Sequence, residues 1–290
     1  MCVDTNIGKG WAKGLTATVD VRIARSAAAH RGMAYARRLP DGTDRRYKTT
    51  RTLSLEWSAS MAYVVGLIAT DGCLITGRTK INFKSADRDL VVTFLGLLGR
   101  TGPIKSTPTR SGGIVHFTEF GDAQFYRWLK TIGLMSRKSL LLRGVDVPDE
   151  FLTDLARGLL DGDGHIQNFV HHPTLRTYST YSYERFWVFF NSASRPHLEW
   201  LQSRLAAVVG IRGRIETLPR PEPRHEFYRL KYGNGEGPML MRAIYPAAAV
   251  PKLERKWSIW DSYERRRLSE SEVCAEGGDL NPHALASAAP

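Results

Sequence analysis

The stretch from Ala62 to Gly72, A-Y-V-V-G-L-I-A-T-D-G, decides the fold of this 290-residue chain. It is an apolar run with a small residue on each helical turn, and it ends in one acid, Asp71, followed by glycine. The same design returns at Leu155 to Gly164, L-A-R-G-L-L-D-G-D-G, where the corresponding acid is Asp163. Two copies of one helix, each with a terminal aspartate, predict a two-fold arrangement with a pair of carboxylates at its centre.

Both copies have the pattern of a helix that packs very closely against a neighbour. Small residues recur every four positions in each copy and therefore share one helix face. A glycine inside a helix costs about 1 kcal/mol relative to alanine, so Gly66 and Gly158 indicate that another backbone approaches them. The first helix is expected to run from Ser58 or Ser60 to Thr70 or Asp71, and the second from Pro148 to Asp161 or Gly162.

The segments that follow the two helices are also repeated. F-K-S-A-D-R at Phe83–Arg88 corresponds to F-N-S-A-S-R at Phe190–Arg195, and each lies where a strand is expected to end and a helix to begin. Each half is therefore interpreted as α-β-β-α-β-β-α, with a longer loop at Gln167–Tyr183 in the second half. This internal duplication predicts an α+β fold of two pseudo-symmetric halves, whose antiparallel sheets form a saddle.

The duplication and the composition together suggest four segments. Residues 1–57 are rich in basic side chains and are interpreted either as a disordered tail or as a basic arm that follows a phosphate backbone. The first half spans 58–147, and the second half spans 148–268 and closes with a basic helix from Lys252 to Leu268. Residues 269–290 turn acidic and then Gly-, Ala- and Pro-rich, so they are expected to be disordered.

Composition restricts the classes of function. Forty-one basic residues against 29 acidic ones give a formal charge of +12, which is typical of proteins that bind a polyanion. The three cysteines, Cys2, Cys73 and Cys274, form no C-x-x-C pair, which argues against a zinc site or a disulfide framework and favours a reducing, cytoplasmic location. No apolar run approaches the ~20 residues that cross a bilayer, so no membrane partner is expected. Alanine- and arginine-rich usage suits a bacterial genome.

The motif segments G-L-I-A-T-D-G and G-L-L-D-G-D-G resemble the two LAGLIDADG motifs of a double-motif, monomeric homing endonuclease. The resemblance covers residues 58–258 and includes the F-x-S-A repeats, K-S-L from Lys138 and L-E-R-K ending at Lys256. The first motif departs from the family pattern at Ala69, where the family has an acid. Asp161 holds that acid in the second motif and is interpreted as a capping residue. The segment W-A-K-G-L-T at residues 11–16 is similar to a short element found beside nuclease domains.

The resemblance implies that Asp71 and Asp163 are the catalytic metal ligands. Oxygen ligands without Cys or His at ligand spacing favour Mg²⁺ as the cofactor. The family also places a basic residue near each metal, which implies catalytic roles for Lys138 and Lys256. The alternatives for those roles are Lys84 and Asn191, and phosphate contact is the other interpretation of each lysine. The adjacent His171 and His172 are interpreted as loop residues, because neighbouring histidines do not readily bind one ion.

The repeated sheets are expected to lie in the major groove of double-stranded DNA, where each base pair presents a distinct pattern of donors and acceptors. Their polar side chains are the candidates for contacts with bases or phosphates. These candidates are Arg78, Lys80, Asn82, Lys84, Lys105, Thr107, Arg110, His116, Arg176, Tyr178, Asn191, Arg214, Glu216, Arg229 and Lys231.

The function expected from these features is that of a site-specific DNA endonuclease of intron homing. Such an enzyme makes Mg²⁺-dependent double-strand breaks at a long asymmetric target, and it acts as a monomer with an internal pseudo-two-fold axis. The alternative is a non-cutting DNA-binding regulator, or an intron RNA maturase that binds RNA, on the same fold. A non-cutting protein is expected to lose one or both motif-terminal acids, and both are present here.

Overall fold

A computed structural model describes residues 53–171, 183–219 and 225–276. The described residues from Leu55 onward belong to one compact unit. Most of the predicted basic arm, the candidate readers Arg176 and Tyr178, His172, and residues 277–290 lie outside the described residues. No helix within the described ranges combines the length and the apolar content needed to cross a bilayer.

The first half begins with the helix of the first motif. Ser58 caps this helix, because its side chain accepts a hydrogen bond from the Met61 N–H. Asp122 caps the last helix of the half in the same way, through the Phe125 N–H. The elements are α1 (Ala59–Asp71), β1 (Gly72–Ile75), β2 (Lys80–Ser85), α2 (Arg88–Leu97), β3 (Lys105–Pro108), β4 (Ile114–Gly121) and α3 (Ala123–Thr131).

The second half repeats this order and adds a closing helix. The predicted start of its motif helix is wrong by a few residues, because the extended backbone of Pro148 leads into a single 3₁₀ turn, Asp149–Phe151, before the α-helix begins. The elements are α4 (Leu152–Asp163), β5 (His165–His171), β6 (Tyr183–Ser192), α5 (Arg195–Val209), β7 (Arg214–Leu218), β8 (Phe227–Tyr232), α6 (Glu236–Ile244) and α7 (Glu254–Glu276).

Each half contains one four-stranded antiparallel sheet. The strand orders are β1-β2-β4-β3 and β5-β6-β8-β7, which are the same order in the two halves. Alternating side chains separate two faces: Ile81 and Phe83 of β2 are fully buried, whereas Lys80, Asn82 and Lys84 between and beside them are accessible. We call the accessible side the outer face of each sheet. The predicted α+β class and the αββαββα order of each half are confirmed.

The motif helices α1 and α4 pack backbone to backbone. A Cβ atom added at Gly66 would lie 2.4 Å from the Leu155 carbonyl oxygen, and one added at Gly158 would lie 2.2 Å from the Tyr63 carbonyl oxygen. One turn further along, a Cβ atom added at Gly162 would lie 2.0 Å from the side-chain oxygen of Thr70. Only glycine fits at these contacts, and the close packing brings the C-terminal ends of the two helices together.

Two predicted irregular segments are partly regular. Strand β5 continues to His171, so the first part of the predicted Gln167–Tyr183 loop is strand, and the interpretation of His171 as a loop residue is wrong. The register that pairs His171 with Tyr183 explains this, since both strands of the hairpin extend to that point. Helix α7 continues to Glu276 rather than ending at Leu268, because S-E-S-E-V-C-A-E contains no helix breaker.

Candidate metal centre and nucleic-acid face

The two motif aspartates are the last residues of α1 and α4. Burial and the charge of Asp163 raise the pKa of Asp71 to about 6, although Lys256, Lys138 and Lys84 lower it. Burial also raises the pKa of Asp163, against the effect of the same two buried lysines. Each carboxylate additionally lies at the negative end of a helix. The arrangement concentrates negative charge that a cation would neutralise.

The two predicted catalytic lysines are buried against the ends of the motif helices. Lys256 Nζ donates to the carbonyl oxygens of Leu160, Asp161 and Gly162 at 2.7, 2.9 and 2.9 Å. Three acceptors engage all three N–H bonds of an ammonium group. Burial lowers the pKa of Lys256 to about 8, and the nearby acids oppose this shift. This lysine therefore satisfies helix carbonyls that would otherwise have no partner.

Lys138 repeats this arrangement in the first half. Its ammonium group donates to the carbonyl oxygens of Thr70, at 3.2 Å, and Gly72. Burial lowers the pKa of Lys138, whereas Asp163 and Asp71 raise it. The sequence predicted a basic residue beside each metal. In the structure both lysines form hydrogen bonds with the ends of the motif helices, and their catalytic role stays a prediction.

The two alternative residues, Lys84 and Asn191, occupy equivalent positions in the F-x-S-A repeats. Asn191 Nδ2 donates to the Asp163 carbonyl oxygen at 2.9 Å. The exposed Lys84 is close enough to Asp71 for its charge to lower the pKa of that carboxyl group. Each half therefore has one repeat residue beside its own motif acid.

Asp161 differs from its predicted role as a helix cap. Its carboxylate is 1% exposed and accepts hydrogen bonds from the hydroxyls of Tyr63, at 2.8 Å, and Tyr245, at 2.5 Å. The Leu253 N–H donates to it as well, at 2.9 Å. The acid thus joins α1, the end of α6 and the start of α7 around α4. Sequence reasoning missed this network because its members are separated by about a hundred residues along the chain.

The corresponding site in the first half contains apolar side chains. Position by position along the repeated elements, Ala69 replaces Asp161, Ile132 replaces Tyr245 and Leu155 replaces Tyr63. All three are buried. The acid that is missing at Ala69 is therefore matched by the absence of both hydroxyl donors, so none of these three side chains needs a hydrogen-bond partner.

Arg157 is a buried charge that sequence reasoning also missed. Its side chain is 1% exposed, pairs with Asp154 at 2.6 Å and donates to the Ile244 carbonyl oxygen at 2.7 Å. The guanidinium also lies over the Tyr63 ring, 5.2 Å from its centroid. The i,i+3 spacing of Asp154 and Arg157 on one helix was the sequence signal that could have predicted this ion pair.

The repeated helix starts connect the two halves. Asp87 lies at the N-cap position of α2, but its side chain makes no capping hydrogen bond and instead pairs with Arg255 of α7. The equivalent Ser194 likewise leaves α5 uncapped and donates to the Leu142 carbonyl oxygen. The F-x-S-A repeats therefore position residues that bind across from one half to the other.

Most predicted DNA-contacting residues that the structure describes lie on the strands or their turns. Some have protein partners: Lys80 pairs with Glu119 at 2.5 Å, Arg229 with Glu216 at 2.7 Å, and Ser106 Oγ lies 2.9 Å from His116 Nδ1. Asn191 on β6 donates to the Asp163 carbonyl oxygen, and Lys231 on β8 lies over the Trp187 ring. The remaining candidates, by element, are Arg78 before β2, Asn82 and Lys84 on β2, Lys105 and Thr107 on β3, Arg110 between β3 and β4, and Arg214 on β7.

The carboxylate pair suits one type of metal. Within the described ranges no three His, Cys, Asp or Glu side chains cluster as a ligand set. Structural zinc and calcium sites need more protein ligands than two carboxylates. Magnesium is commonly held by one or two carboxylates together with water and substrate phosphates. The paired, partly accessible carboxylates of Asp71 and Asp163 fit that ion.

Neutralising Asp71 should stabilise the metal-free protein. Its pKa in the folded state, about 6, exceeds the ordinary value of 3.8, so the charged form is disfavoured by folding and stability decreases as pH rises from about 3.8 to about 6. Asp71→Asn is therefore expected to raise the melting temperature at pH 7.5 in EDTA, and to lose most of that advantage only near pH 4. Thermal unfolding at several pH values measures the difference. An Asp71→Asn protein that melts at or below the wild-type temperature at pH 7.5 would contradict this electrostatic account.

Comparison with known proteins gives structural similarity only. No protein-family model matches the chain, and no curated protein matches it. The chain is similar to the homing endonuclease I-WcaI bound to its DNA recognition sequence, with a TM-score of 0.49, 10% identity, and coverage of 72% of this chain and 88% of that one. It is also similar to the meganuclease I-SmaMI bound to uncleavable DNA, with a TM-score of 0.47, 11% identity, and coverage of 78% of this chain and 98% of that one. A third similar structure is the N-terminal LAGLIDADG domain of DUF199/WhiA, with a TM-score of 0.43, 13% identity, and coverage of 66% of this chain and 84% of that one.

Proposed function

We propose that this protein is a site-specific DNA endonuclease that makes double-strand breaks with Mg²⁺ as its cofactor. One observation carries the proposal. The two motif aspartates end two helices that pack backbone to backbone, and the pKa of each carboxyl group is raised, so a cation bound between them would stabilise both charges. The motif resemblance, which covers both acids, supports the same function. Magnesium bound there would activate water and stabilise negative charge on the leaving oxygen of a phosphodiester.

The outer faces of the two sheets are the proposed DNA-binding surface. Basic and amide side chains, among them Lys80, Asn82, Arg214 and Lys231, lie on these faces. A net charge of +12 favours a polyanionic partner. A twisted two-fold pair of antiparallel sheets suits the major groove of a duplex, where base pairs are distinguishable. Because the two faces differ in sequence, the target is asymmetric.

The chain's own residues have distinct tasks in the proposed reaction. Asp71 and Asp163 bind the cation and hold it between the two halves. Lys138 and Lys256 neutralise the helix ends, and their charges lower the pKa of both aspartates, which favours the ionised form that binds a cation. Lys84 and Asn191 lie at equivalent places beside the acids and are positioned to contact phosphate or water. One acid in each half assigns one DNA strand to each half, so a single chain cuts both strands.

A second function has one observation in its favour. Lys256 Nζ already has three carbonyl partners, so it has no free N–H bond for a water molecule or a phosphate. A protein that binds nucleic acid without cutting it, as a DNA-binding regulator or an intron RNA maturase, would keep such a lysine purely for stability. The presence of both motif acids favours the endonuclease.

The deciding experiment is a cleavage selection. A library of random DNA duplexes is incubated with the protein and Mg²⁺, and the cut ends are captured and sequenced. The endonuclease proposal expects one long asymmetric sequence to be enriched, and expects no enrichment in EDTA. A protein that binds duplexes in a parallel retention assay but yields no cut ends would establish the non-cutting alternative.

Binding should also weaken steeply with salt. A protein that neutralises several phosphates loses about 10³–10⁵ in affinity between 50 and 200 mM salt. We therefore expect the Kd for the selected duplex, measured by fluorescence anisotropy, to rise over that range by a factor of this order. An affinity that is independent of salt would exclude the proposed basic outer faces as the binding surface.

A further inference from the structure

The outer faces of the two sheets differ at equivalent positions. The F-K-S-A and F-N-S-A repeats align β2 with β6, so Lys80 corresponds to Trp187. The strand registers, which pair Phe83 with Thr118 and Phe190 with Leu230, align β4 with β8 and make Glu119 the counterpart of Lys231. The same diagonal pair is thus a salt bridge of 2.5 Å in the first half and a cation–aromatic pair in the second, with Lys231 Nζ 3.5 Å from the centre of the Trp187 ring.

Aromatic side chains continue along the second outer face. The Phe169 ring meets Trp187 edge to face with centroids 5.1 Å apart, and Trp187 meets Phe189 in the same way at 6.1 Å. The His165 ring stacks on Phe189 at 6.0 Å. Phe169 remains 37% exposed at the open end of this row. We call Phe169, Trp187, Phe189 and His165 the aromatic row.

Basic side chains make cation–aromatic contacts with rings of the aromatic row. Arg229 lies over Phe189, 4.8 Å from the ring centre, and Arg185 lies 5.1 Å from the centre of Trp187. On the outer face of the first sheet, the described residues include no cation–aromatic pair of this kind. The positive charge favours a nucleic-acid partner, because cations bind phosphate. Phosphate binding does not require aromatic rings, so the apolar ring surface is available for a different group of that partner.

From this we infer that the aromatic row binds thymine methyl groups, so that Phe169 and Trp187 determine thymine specificity in one half of the target; the inference rests on the proposed DNA-binding function. The only apolar group that the major groove presents is the C5-methyl group of thymine. Phe169 offers an exposed ring for it beside cations that reach the flanking phosphates. The first sheet has Lys80 and Glu119 at the corresponding place and reads bases there through hydrogen bonds.

The geometry favours duplex DNA over a single strand. Base stacking requires an open ring face, but Lys231 covers a face of Trp187 at 3.5 Å. Phe189 is 2% exposed and is unavailable for stacking. Of the row's three phenyl and indole rings only Phe169 is left open, so the row offers one exposed ring rather than a series of open ring faces, which suits contact with a methyl group.

Replacing thymine by uracil tests the inference, because this change removes only the methyl group. Duplexes are first selected by binding from a random library without magnesium, and each thymine of the enriched sequence is then replaced singly by uracil. The wild-type protein is expected to bind about fourfold more weakly at one or two positions, all in one half of the target, which is the value of about one buried methyl group. In Phe169→Ala the thymine-to-uracil ratio should fall to one at those positions.

Val170→Ala is the matched control. Val170 is the next residue of β5, is 54% exposed and points to the opposite side of the strand, so this variant should keep the wild-type ratio. A wild-type protein that does not discriminate thymine from uracil anywhere, or a Phe169→Ala protein that keeps the discrimination, overturns the inference. So does a Phe169→Ala protein that loses only the binding of a single-stranded oligonucleotide. If no duplex is enriched at all, the proposed function itself fails.

Discussion

Asp71→Asn and Asp163→Asn are each expected to abolish double-strand cleavage of the selected duplex. Asparagine keeps the size of the side chain but removes the charge that holds the cation. Metal ions supply several kcal/mol of transition-state stabilisation, so cleavage should slow by at least about a hundredfold. Duplex affinity should remain or increase, because each change removes a negative charge from a surface that approaches phosphates.

The measurement is single-turnover cleavage on a supercoiled plasmid that carries the selected site, which separates uncut, nicked and linear DNA. Asp89→Asn serves as the matched control, since Asp89 is an exposed acid on α2 outside the site. Linear product at the wild-type rate from either motif variant would refute the paired-carboxylate assignment. Equal losses in the control would instead point to a general effect of charge.

Local sequence signals were sufficient to predict the fold. The small residues of the motif helices and the F-x-S-A repeats act within a few residues of the elements they specify. The first motif helix was predicted to end at Thr70 or Asp71, and it ends at Asp71. The position of each motif acid at the end of its helix follows from the same local pattern.

The partners of buried polar groups depend on residues far apart in the chain. Asp161 was interpreted as a cap because this extra acid occurs in only one of the two motifs. Its carboxylate instead accepts hydrogen bonds from Tyr63, 98 residues before it in the sequence, and from Tyr245, 84 residues after it. The hydrogen bonds of Lys256 with the end of α4 could not be predicted either, since nothing in L-E-R-K specifies which carbonyl groups accept from it.

The two halves share a backbone plan but differ in the chemistry that fills it. The first half has Ala69 among apolar neighbours and a solvated salt bridge on its outer face, whereas the second has a buried Asp161 network and an aromatic row. The order of strands and helices is the same in the two halves, because both halves pack against the central helices α1 and α4. The side chains at equivalent sites are then free to diverge, which is the physical basis of an asymmetric target.

Gly158→Ala is expected to destabilise the protein by about 3 kcal/mol or more, because overpacking usually costs 1–3 kcal/mol and this contact is with backbone. The added methyl group would lie 2.2 Å from the Tyr63 carbonyl oxygen and 3.0 Å from the Gly66 Cα atom. Neither atom can rotate away as a side chain does, so α1 and α4 must separate. Because the motif acids end these two helices, separation also moves Asp71 away from Asp163 and should weaken cleavage.

Chemical denaturation of Gly158→Ala and of its partner Gly66→Ala measures the loss. Gly96→Ala is the matched control: Gly96 lies inside the helix α2, and a Cβ atom there meets nothing within 4 Å. Alanine is the better helix former by up to about 1 kcal/mol, so this variant should be as stable as the wild type or more stable. If Gly158→Ala matched Gly96→Ala in stability, the close approach of the two motif helices would not be what holds the halves together, and the convergence of the two carboxylates would need another cause.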